Sequence, residues 1–201
     1  MSQSLLAQWA ATQPLEWLAL LAGVGYALLA VRHIRWCWLA GGVSSATLVW
    51  LSAEARLPMQ SALQSCYVLL AVYGFWRWSR AAALTKAPPI VTLPVGFHVV
   101  LLIGIAIAGG LLGPIVERFA AAAWPRLDTA LMIASLLATW MATASKLENW
   151  LYWIAIDLLS CFLYVQQGLW LVGLLYLVYA AIAVLGFRHW RRLRRARLCD
   201  A

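Results

Sequence analysis

The sequence predicts an all-α integral membrane protein with seven transmembrane helices, arranged as two parallel three-helix repeats joined by one linking helix. Three observations lead to this fold class. Of the 201 residues, 65% are hydrophobic and only 11% are charged, and the charges are grouped between long apolar runs. Runs of about 18 or more apolar residues can cross a bilayer core. The first and last parts of the chain also match each other in sequence.

Seven apolar runs give the transmembrane spans in order. We expect them at about residues 15–31, 35–54, 57–79, 90–113, 127–145, 147–166 and 169–190. They are expected to be helices because a backbone exposed to lipid must satisfy its own hydrogen bonds, and the runs lack the alternation of a barrel strand. The start of the chain has no basic n-region, so we expect the first span to be retained and not cleaved as a signal peptide.

The basic residues predict the orientation. One side of the membrane would carry Arg32, Arg35, Arg77, Arg80, Lys86, Lys146, Arg188, Arg191, Arg192, Arg194, Arg195 and Arg197, and the other side only Arg56, Arg118 and Arg126. By the positive-inside rule, the N-terminus lies outside and the C-terminus in the cytoplasm. The basic tail, residues 191–201, would suit a nucleic acid, but its place beside the last span fits lipid headgroups better. We therefore expect membrane lipids, and no nucleic acid, as partners.

An internal repeat predicts the architecture. We expect the first repeat at residues 15–79 and the second at residues 127–190. Laying residues 15–78 over residues 127–190 at a constant offset of 112 pairs Trp38 with Trp150, Tyr67 with Tyr179, and Trp78 with Trp190. Three spans end on the side opposite to their start, so the linking helix, residues 90–113, returns the chain and makes the repeats parallel. Parallel repeats are typical of transporters, with the substrate site near mid-membrane between the halves.

Polar residues in the sixth span predict that site. Asn149, Trp153 and Asp157 recur at spacings of three and four, together with Ser160 and Tyr164, and so share one face of a helix. Asp157 lies about 15 Å from the start of the span, near the midplane. An ionisable group at that depth is costly unless it faces protein or water. Two roles stay open for it: a wall of the cavity, or a hydrogen-bond partner of a neighbouring helix.

Other spans are expected to complete the cavity. Gln64 and Tyr67 share a face of the third span, and the repeat pairs them with Tyr176 and Tyr179. The predicted substrate-binding set is Gln64, Tyr67, Trp140, Asn149, Trp150, Trp153, Asp157, Tyr176 and Tyr179. Other tryptophans lie at span ends, where an interfacial belt is expected: Trp36, Trp38, Trp78, Trp124 and Trp190. For Glu148 we expect an ion pair with Lys146 or Arg35 at the helix end.

The residue types favour a cationic ligand and exclude several other functions. Aromatic faces and a carboxylate attract a flat, positively charged heteroaromatic ring. The four cysteines and three histidines have no metal-ligand spacing, so the histidines are interpreted as interfacial or packed side chains. We find no haem ligand pair or catalytic triad either. No metal, no cofactor and no enzyme activity are therefore expected.

Two stretches resemble the PnuC-type vitamin transporters. "KLENWLYWIAIDLLSCFLY" is similar to the family's basic residue followed by Glu-Asn-Trp-x-x-Trp, then Asp, then Tyr. "ALQSCYVLLAVYGFWRW" is similar to its Leu-Gln-x-x-Tyr followed by Tyr-Gly-aromatic-x-x-Trp. By this resemblance Asn149, Trp150 and Trp153 match the ligand-binding motif in span six, and Gln64 matches the family's glutamine in span three.

The resemblance implies a fold like that of the SWEET sugar transporters with an extra linking helix. It also implies equilibrative uptake of a vitamin precursor across a bacterial inner membrane, without ion coupling. A cytoplasmic kinase would then trap the substrate by phosphorylation, which makes the kinase a functional partner. Nicotinamide riboside is favoured, with thiamine as the alternative in the same family and a sugar or other small solute as a further one. The oligomeric state stays open, a homo-oligomer included.

Overall fold

The described residues, 14–55, 57–85, 89–118 and 124–199 of a computed structural model, form seven helices. We number them in chain order: α1 Pro14–Val31, α2 Cys37–Glu54, α3 Pro58–Thr85, α4 Val95–Glu117, α5 Pro125–Thr143, α6 Asn149–Gln166 and α7 Trp170–Cys199. The all-helical class is thereby confirmed. Residues 1–13, Arg56 and Lys86, which contribute to the predicted orientation, lie outside the described residues.

Three of these helices are long and apolar enough to cross a membrane by length and hydropathy alone: α1, α4 and residues Trp170–Arg197 of α7. Two of the other helices, α5 and α6, carry polar side chains that lower their hydropathy. Several of these side chains are buried in the bundle: Thr129, Ser135, Thr139, Thr143, Asn149, Asp157 and Ser160. The polar groups of these helices are therefore directed into the protein.

The helices pack as two groups of three. In the first group α2 lies against both α1 and α3, and in the second group α6 lies against both α5 and α7. The groups meet through two further contacts, α1 with α7 and α3 with α5. The remaining helix, α4, packs along α5, where Gly109 and Gly113 bring the two backbones close. A Cβ at Gly109 would lie 2.8 Å from the Cβ of Ala130.

The fourth helix differs from the prediction at both ends, since it runs from Val95 to Glu117 and not over 90–113. The preceding chain is extended because Pro94 holds φ at −67° and ψ at 150°. Val91 in this segment donates its N–H to the Ser145 carbonyl (3.1 Å) and accepts from the Leu147 N–H (2.9 Å). The segment that contains Ile90 and Val91 is therefore hydrogen-bonded to the turn before α6 and does not begin a helix.

Corresponding boundaries of the two groups lie 112 residues apart. This holds for both ends of α2 (Cys37–Glu54) and α6 (Asn149–Gln166), and for the starts of α3 and α7 at Pro58 and Trp170. The turn after α1 and the turn after α5 also correspond. His33 has φ 57° and Ser145 has φ 51°, and these two residues are also 112 positions apart in the chain.

Both of these turns end a helix in the same way. Ile34 donates its N–H to the Leu29 carbonyl (3.1 Å), and Lys146 donates to Met141 (2.9 Å). This six-to-one bond places the residue before the donor in the left-handed region, a position that glycine normally takes. Gly168 takes it at the end of α6, with φ 77°. His33 and Ser145 adopt it at the cost of crowding their own Cβ atoms.

Candidate functional site

A cavity of about 260 Å³ lies between the two three-helix groups, and all six of their helices contribute to its lining. Eight of the nine predicted site residues line it: Gln64, Tyr67, Asn149, Trp150, Trp153, Asp157, Tyr176 and Tyr179. Trp140 is the exception. Its side chain is 40% exposed on the outside of α5, so this prediction is corrected. The lining also includes residues outside the predicted set, among them Tyr26, Ser44 and Ser45.

The carboxylate of Asp157 lies halfway along α6 and faces the cavity. The residue is only 4% exposed, and no hydrogen bond to its carboxylate is found within the described part of the chain. Trp153 precedes it by one helical turn on the same face. A buried carboxylate without a protein partner is costly, and a bound cation would offset that cost. Of the two roles left open for Asp157, the geometry favours the cavity wall.

Tyrosines surround the rest of the cavity. The Tyr67 hydroxyl donates to Ser135 Oγ at 2.6 Å and so ties α3 of the first group to α5 of the second. On the other side, Tyr176 stacks on Tyr164 with ring centroids 5.3 Å apart and contacts Tyr179 edge-on at 6.4 Å. These rings are held by neighbours before any ligand arrives, so they give the cavity a preformed aromatic wall.

The start of α6 is fixed by its own side chains. Asn149 is 1% exposed, and its amide nitrogen donates to the Lys146 carbonyl at 2.5 Å. Glu148 does not form the expected ion pair among the described residues. Instead Oε1 accepts a hydrogen bond from the Leu93 N–H at 3.2 Å, and Oε2 is buried without a partner there. The linker segment before α4 lies against the start of α6 and supplies this donor.

Four buried tryptophans close the end of the cavity nearest the α1–α2 and α5–α6 turns. We call Trp38, Trp78, Trp150 and Trp190 the tryptophan layer. Trp38 meets Trp78 edge-on at 5.4 Å, Trp78 lies 6.1 Å from Trp190, and Trp190 meets Trp150 edge-on at 5.4 Å. The prediction of an interfacial belt is therefore wrong for Trp38, Trp78 and Trp190. Their pairing in the repeat, Trp38 with Trp150 and Trp78 with Trp190, was the available signal.

Two of these indoles connect the helix groups crosswise. Trp78 of α3 donates Nε1–H to the Thr143 carbonyl at the end of α5 (3.1 Å). Trp190 of α7 donates to the carbonyls of Ala30 and Val31 at the end of α1 (3.0 and 3.1 Å). Thr143 and Val31 are themselves 112 residues apart. Each group therefore holds the helix end of the other through the same contact.

His33 packs against two members of the tryptophan layer. Its ring is 4.3 Å from that of Trp78 and 4.7 Å from that of Trp190, and its Nε2 is 3.2 Å from Ser145 Oγ. The pKa of His33 is lowered to about 4, mainly by burial, with a smaller contribution in the same direction from the nearby Arg197 and His189. A neutral ring is therefore held in the turn between α1 and α2. Sequence reasoning treated this histidine only as a packed or interfacial side chain.

Paired helix groups around a preformed aromatic and acidic cavity define a membrane transporter for a small solute. Residues 13–192 match the model of the Nicotinamide mononucleotide transporter family. The chain belongs to this family, the PnuC-type transporters, and its relatives are transporters and not enzymes.

Relatives and a solved structure agree with this assignment. The chain is 33% identical over 75 residues to the Nicotinamide riboside transporter PnuC of Escherichia coli K12, a match that spans 37% of this chain and about a third (31%) of the relative's length. It is 23% identical over 168 residues to the Riboflavin/roseoflavin transporter RibM of Streptomyces davaonensis, covering 81% of this chain and 77% of RibM.

The fold itself is that of a solved transporter. The crystal structure of the Vitamin B3 transporter PnuC superimposes with a TM-score of 0.72 at 20% identity, over 96% of this chain and 87% of that one. The relatives are named for different substrates, a riboside in one and a flavin in another. Family membership therefore identifies the chain as a transporter, and its substrate has to be inferred from the residues that line the cavity.

Proposed function

We propose that this protein carries nicotinamide riboside across a bacterial inner membrane by facilitated diffusion. The observation that carries the proposal is the Asp157 carboxylate, which faces a cavity walled by Trp153 and tyrosine rings. Nicotinamide riboside combines a flat cationic ring with hydroxyl groups. The ring is attracted by aromatic faces and by the carboxylate, and the hydroxyls can bond to Gln64 and Asn149.

The same proposal includes a 3+1+3 plan, with α1–α3 and α5–α7 as parallel repeats and α4 as the linking helix. Support comes from the helix boundaries 112 residues apart, the two left-handed turns at His33 and Ser145, and the crosswise bonds of Trp78 and Trp190. The basic residues favour a cytoplasmic C-terminus, which puts the tryptophan layer at the cytoplasmic end of the cavity.

Transport would follow from rocking of the two groups about the cavity. The tryptophan layer holds the groups together at one end, so opening toward the cytoplasm requires separation of Trp78 from Thr143 and of Trp190 from Val31. Phosphorylation of the released substrate by a cytoplasmic kinase would keep the flow inward. Asp157 is the one deep carboxylate in the described helices, and in this scheme it binds the cationic substrate and not a coupling ion.

A flavin is the second candidate, because the likeness to RibM extends over 81% of this chain. Riboflavin has three fused rings, carries no positive charge and would leave Asp157 uncompensated in the cavity. Thiamine, the alternative substrate that the family resemblance implies, is cationic like nicotinamide riboside and would satisfy the carboxylate equally well.

Reconstitution in liposomes distinguishes these substrates. We expect saturable uptake of nicotinamide riboside without a proton or sodium gradient, and a melting temperature in detergent that rises with its concentration. Thiamine and riboflavin serve as parallel ligands. A shift with thiamine or riboflavin alone would reassign the substrate, and a strict need for an ion gradient would overturn facilitated diffusion.

A further inference from the structure

Each helix group places an aromatic ring at one corresponding part of the cavity, but the ring comes from non-corresponding helices in the two groups. It belongs to α1 in the first group and to α6 in the second. In the first group Tyr26 of α1 lies over Gly41 of α2, where a Cβ would come within 2.8 Å of the Tyr26 ring. At the positions 112 residues further on, the small and large residues are exchanged. Ala138 of α5 stands in place of Tyr26, and Trp153 of α6 stands in place of Gly41.

The packing on each side agrees with this exchange. Tyr26 contacts Trp38 with ring centroids 5.7 Å apart, and it packs on the core that includes the tryptophan layer. Trp153 packs on that same core and also on the cluster that contains the buried Ala138. Both rings line the cavity. Under the parallel-repeat plan proposed above, the two rings hold equivalent places on opposite sides of the cavity.

The charge of the cavity is not exchanged in this way. Asp157 follows Trp153 by one turn, whereas the residue that corresponds to it in the first group, Ser45, follows Gly41 by one turn. Both Asp157 and Ser45 line the cavity. One wall therefore offers a large indole with a carboxylate, and the opposite wall offers a phenol ring with a neutral hydroxyl.

We propose that Tyr26 and Trp153 form an aromatic pair that holds the flat ring of the ligand between them. The inference rests on the proposed function, and it adds a ligand-contacting residue on α1 that motif and helical spacing do not indicate. Trp153 and Asp157 contact one face of the cationic ring, and Tyr26 covers the other face. Such a pair selects planar cationic heterocycles over sugars, which have no flat face on both sides.

Tyr26→Leu tests the pair, because leucine fills much of the volume over Gly41 and has no aromatic face. Binding of nicotinamide riboside is measured by isothermal titration calorimetry in detergent. We expect the variant to raise Kd about five- to tenfold, the value of one aromatic or cation–π contact. Tyr73→Leu is the matched control, because Tyr73 lies on the exposed surface of α3. It should bind as the wild type does.

A shape-preserving substitution keeps the test decisive where Tyr26→Leu does not fold. Pentafluorophenylalanine at position 26 retains a six-membered ring but reverses the negative electrostatic potential of its face, so Kd should again rise. An unchanged Kd in the folded variant would overturn the aromatic pair and leave the transporter proposal standing. Failure of the wild type to bind nicotinamide riboside would instead overturn the proposed function on which the pair depends.

Discussion

Asp157 combines a cost in stability with a gain in binding, and the two can be separated by experiment. An unpaired carboxylate inside the bundle destabilises the empty protein, because burial disfavours its charge. Asp157→Asn should therefore raise the melting temperature without ligand by a few degrees. It should also weaken nicotinamide riboside binding by about tenfold or more, since a nearby opposite charge is lost.

Differential scanning fluorimetry with and without nicotinamide riboside measures both effects of Asp157→Asn. Asp128→Asn, the same substitution in the first turn of α5 and outside the cavity lining, is the control and should change neither by a comparable amount. A variant that lost stability and kept its affinity would identify Asp157 as a structural hydrogen-bond partner instead of a binding group.

His33 predicts how stability depends on pH. Burial lowers the pKa of His33 to about 4, from about 6.5 in an unfolded chain. Between these values the unfolded chain binds a proton that the folded protein does not, so the free energy of unfolding decreases as the pH falls from 6.5 toward 4. His33→Gln should flatten this part of the curve.

Melting temperatures in detergent from pH 7.5 to pH 4.5 test the His33 prediction. Ser145→Ala removes the partner of Nε2 but leaves His33 to titrate, so this variant should keep the pH dependence of the wild type. The same slope in His33→Gln would assign the acid sensitivity to other groups.

At the scale of helices, Gly186 and Gly74 allow the tryptophan layer to pack against α7 and α3. A Cβ at Gly186 would lie 2.6 Å from Cδ2 of Trp150, and one at Gly74 would lie 2.4 Å from Cδ2 of Trp38. Gly186→Ala should therefore destabilise the protein by about 1–3 kcal/mol, the usual cost of overpacking a core. For a chain of this size, that lowers the melting temperature by roughly 3–10 °C.

A glycine in open surroundings provides the control for Gly186→Ala. A Cβ at Gly104 in α4 would have no neighbour within 4 Å, so Gly104→Ala gains helix propensity and should be neutral or slightly stabilising. Equal melting temperatures for Gly186→Ala and the wild type would contradict the close packing of α6 on α7.

The sequence predicts helices better than it predicts their faces. Long apolar runs locate the seven helices, because lipid and protein interior both favour the same residues. Apolar composition alone does not show which way α5 faces, but its polar residues do. Ser135, Thr139 and Thr143 recur every four residues and are buried, whereas the adjacent Trp140 lies off this stripe and is exposed. The prediction for Trp140 failed because it followed the residue type and not this spacing. In α6 the polar stripe of Asn149 and Asp157 marks the inner face in the same way.

The tryptophan layer was missed because the position of a tryptophan along a span is an ambiguous signal. A tryptophan at the end of a span suits both an interfacial belt and a buried contact, and only the partner decides between them. For Trp190 the partners are backbone carbonyls of Ala30 and Val31, about 160 residues away in the chain. Trp36 and Trp124, without such partners among the described residues, remain about half exposed as an interfacial belt requires.

Across the whole molecule, the two halves divide into equal and unequal pairs. Trp38 with Trp150 and Trp78 with Trp190 are identical, and they close one end of the cavity by the same contacts in both directions. Pairs that differ, such as Ser45 with Asp157, line the cavity where the ligand would bind. A symmetrical closure lets both groups move alike, and an unequal cavity gives a ligand without symmetry one preferred orientation.

This division predicts that weakening the tryptophan layer opens the protein at that end. Trp190→Phe keeps an aromatic ring but removes the Nε1 donor to Ala30 and Val31, a loss of about 1 kcal/mol for a hydrogen bond. Cys37 is fully buried in the same core cluster and reports the opening through its reaction with a maleimide. In a protein whose other cysteines are replaced by serine, Trp190→Phe should increase the labelling rate of Cys37 about fivefold.

The neighbouring Trp36→Phe changes an exposed ring outside the tryptophan layer, so it should leave the labelling rate of Cys37 unchanged. Equal rates in Trp190→Phe and the wild type would show that the crosswise bonds do not hold the two helix groups together. Saturating nicotinamide riboside provides the link to transport. A ligand that binds more tightly to the protein closed at this end shifts the balance toward that state, so it should lower the labelling rate of Cys37 in both the wild type and Trp190→Phe.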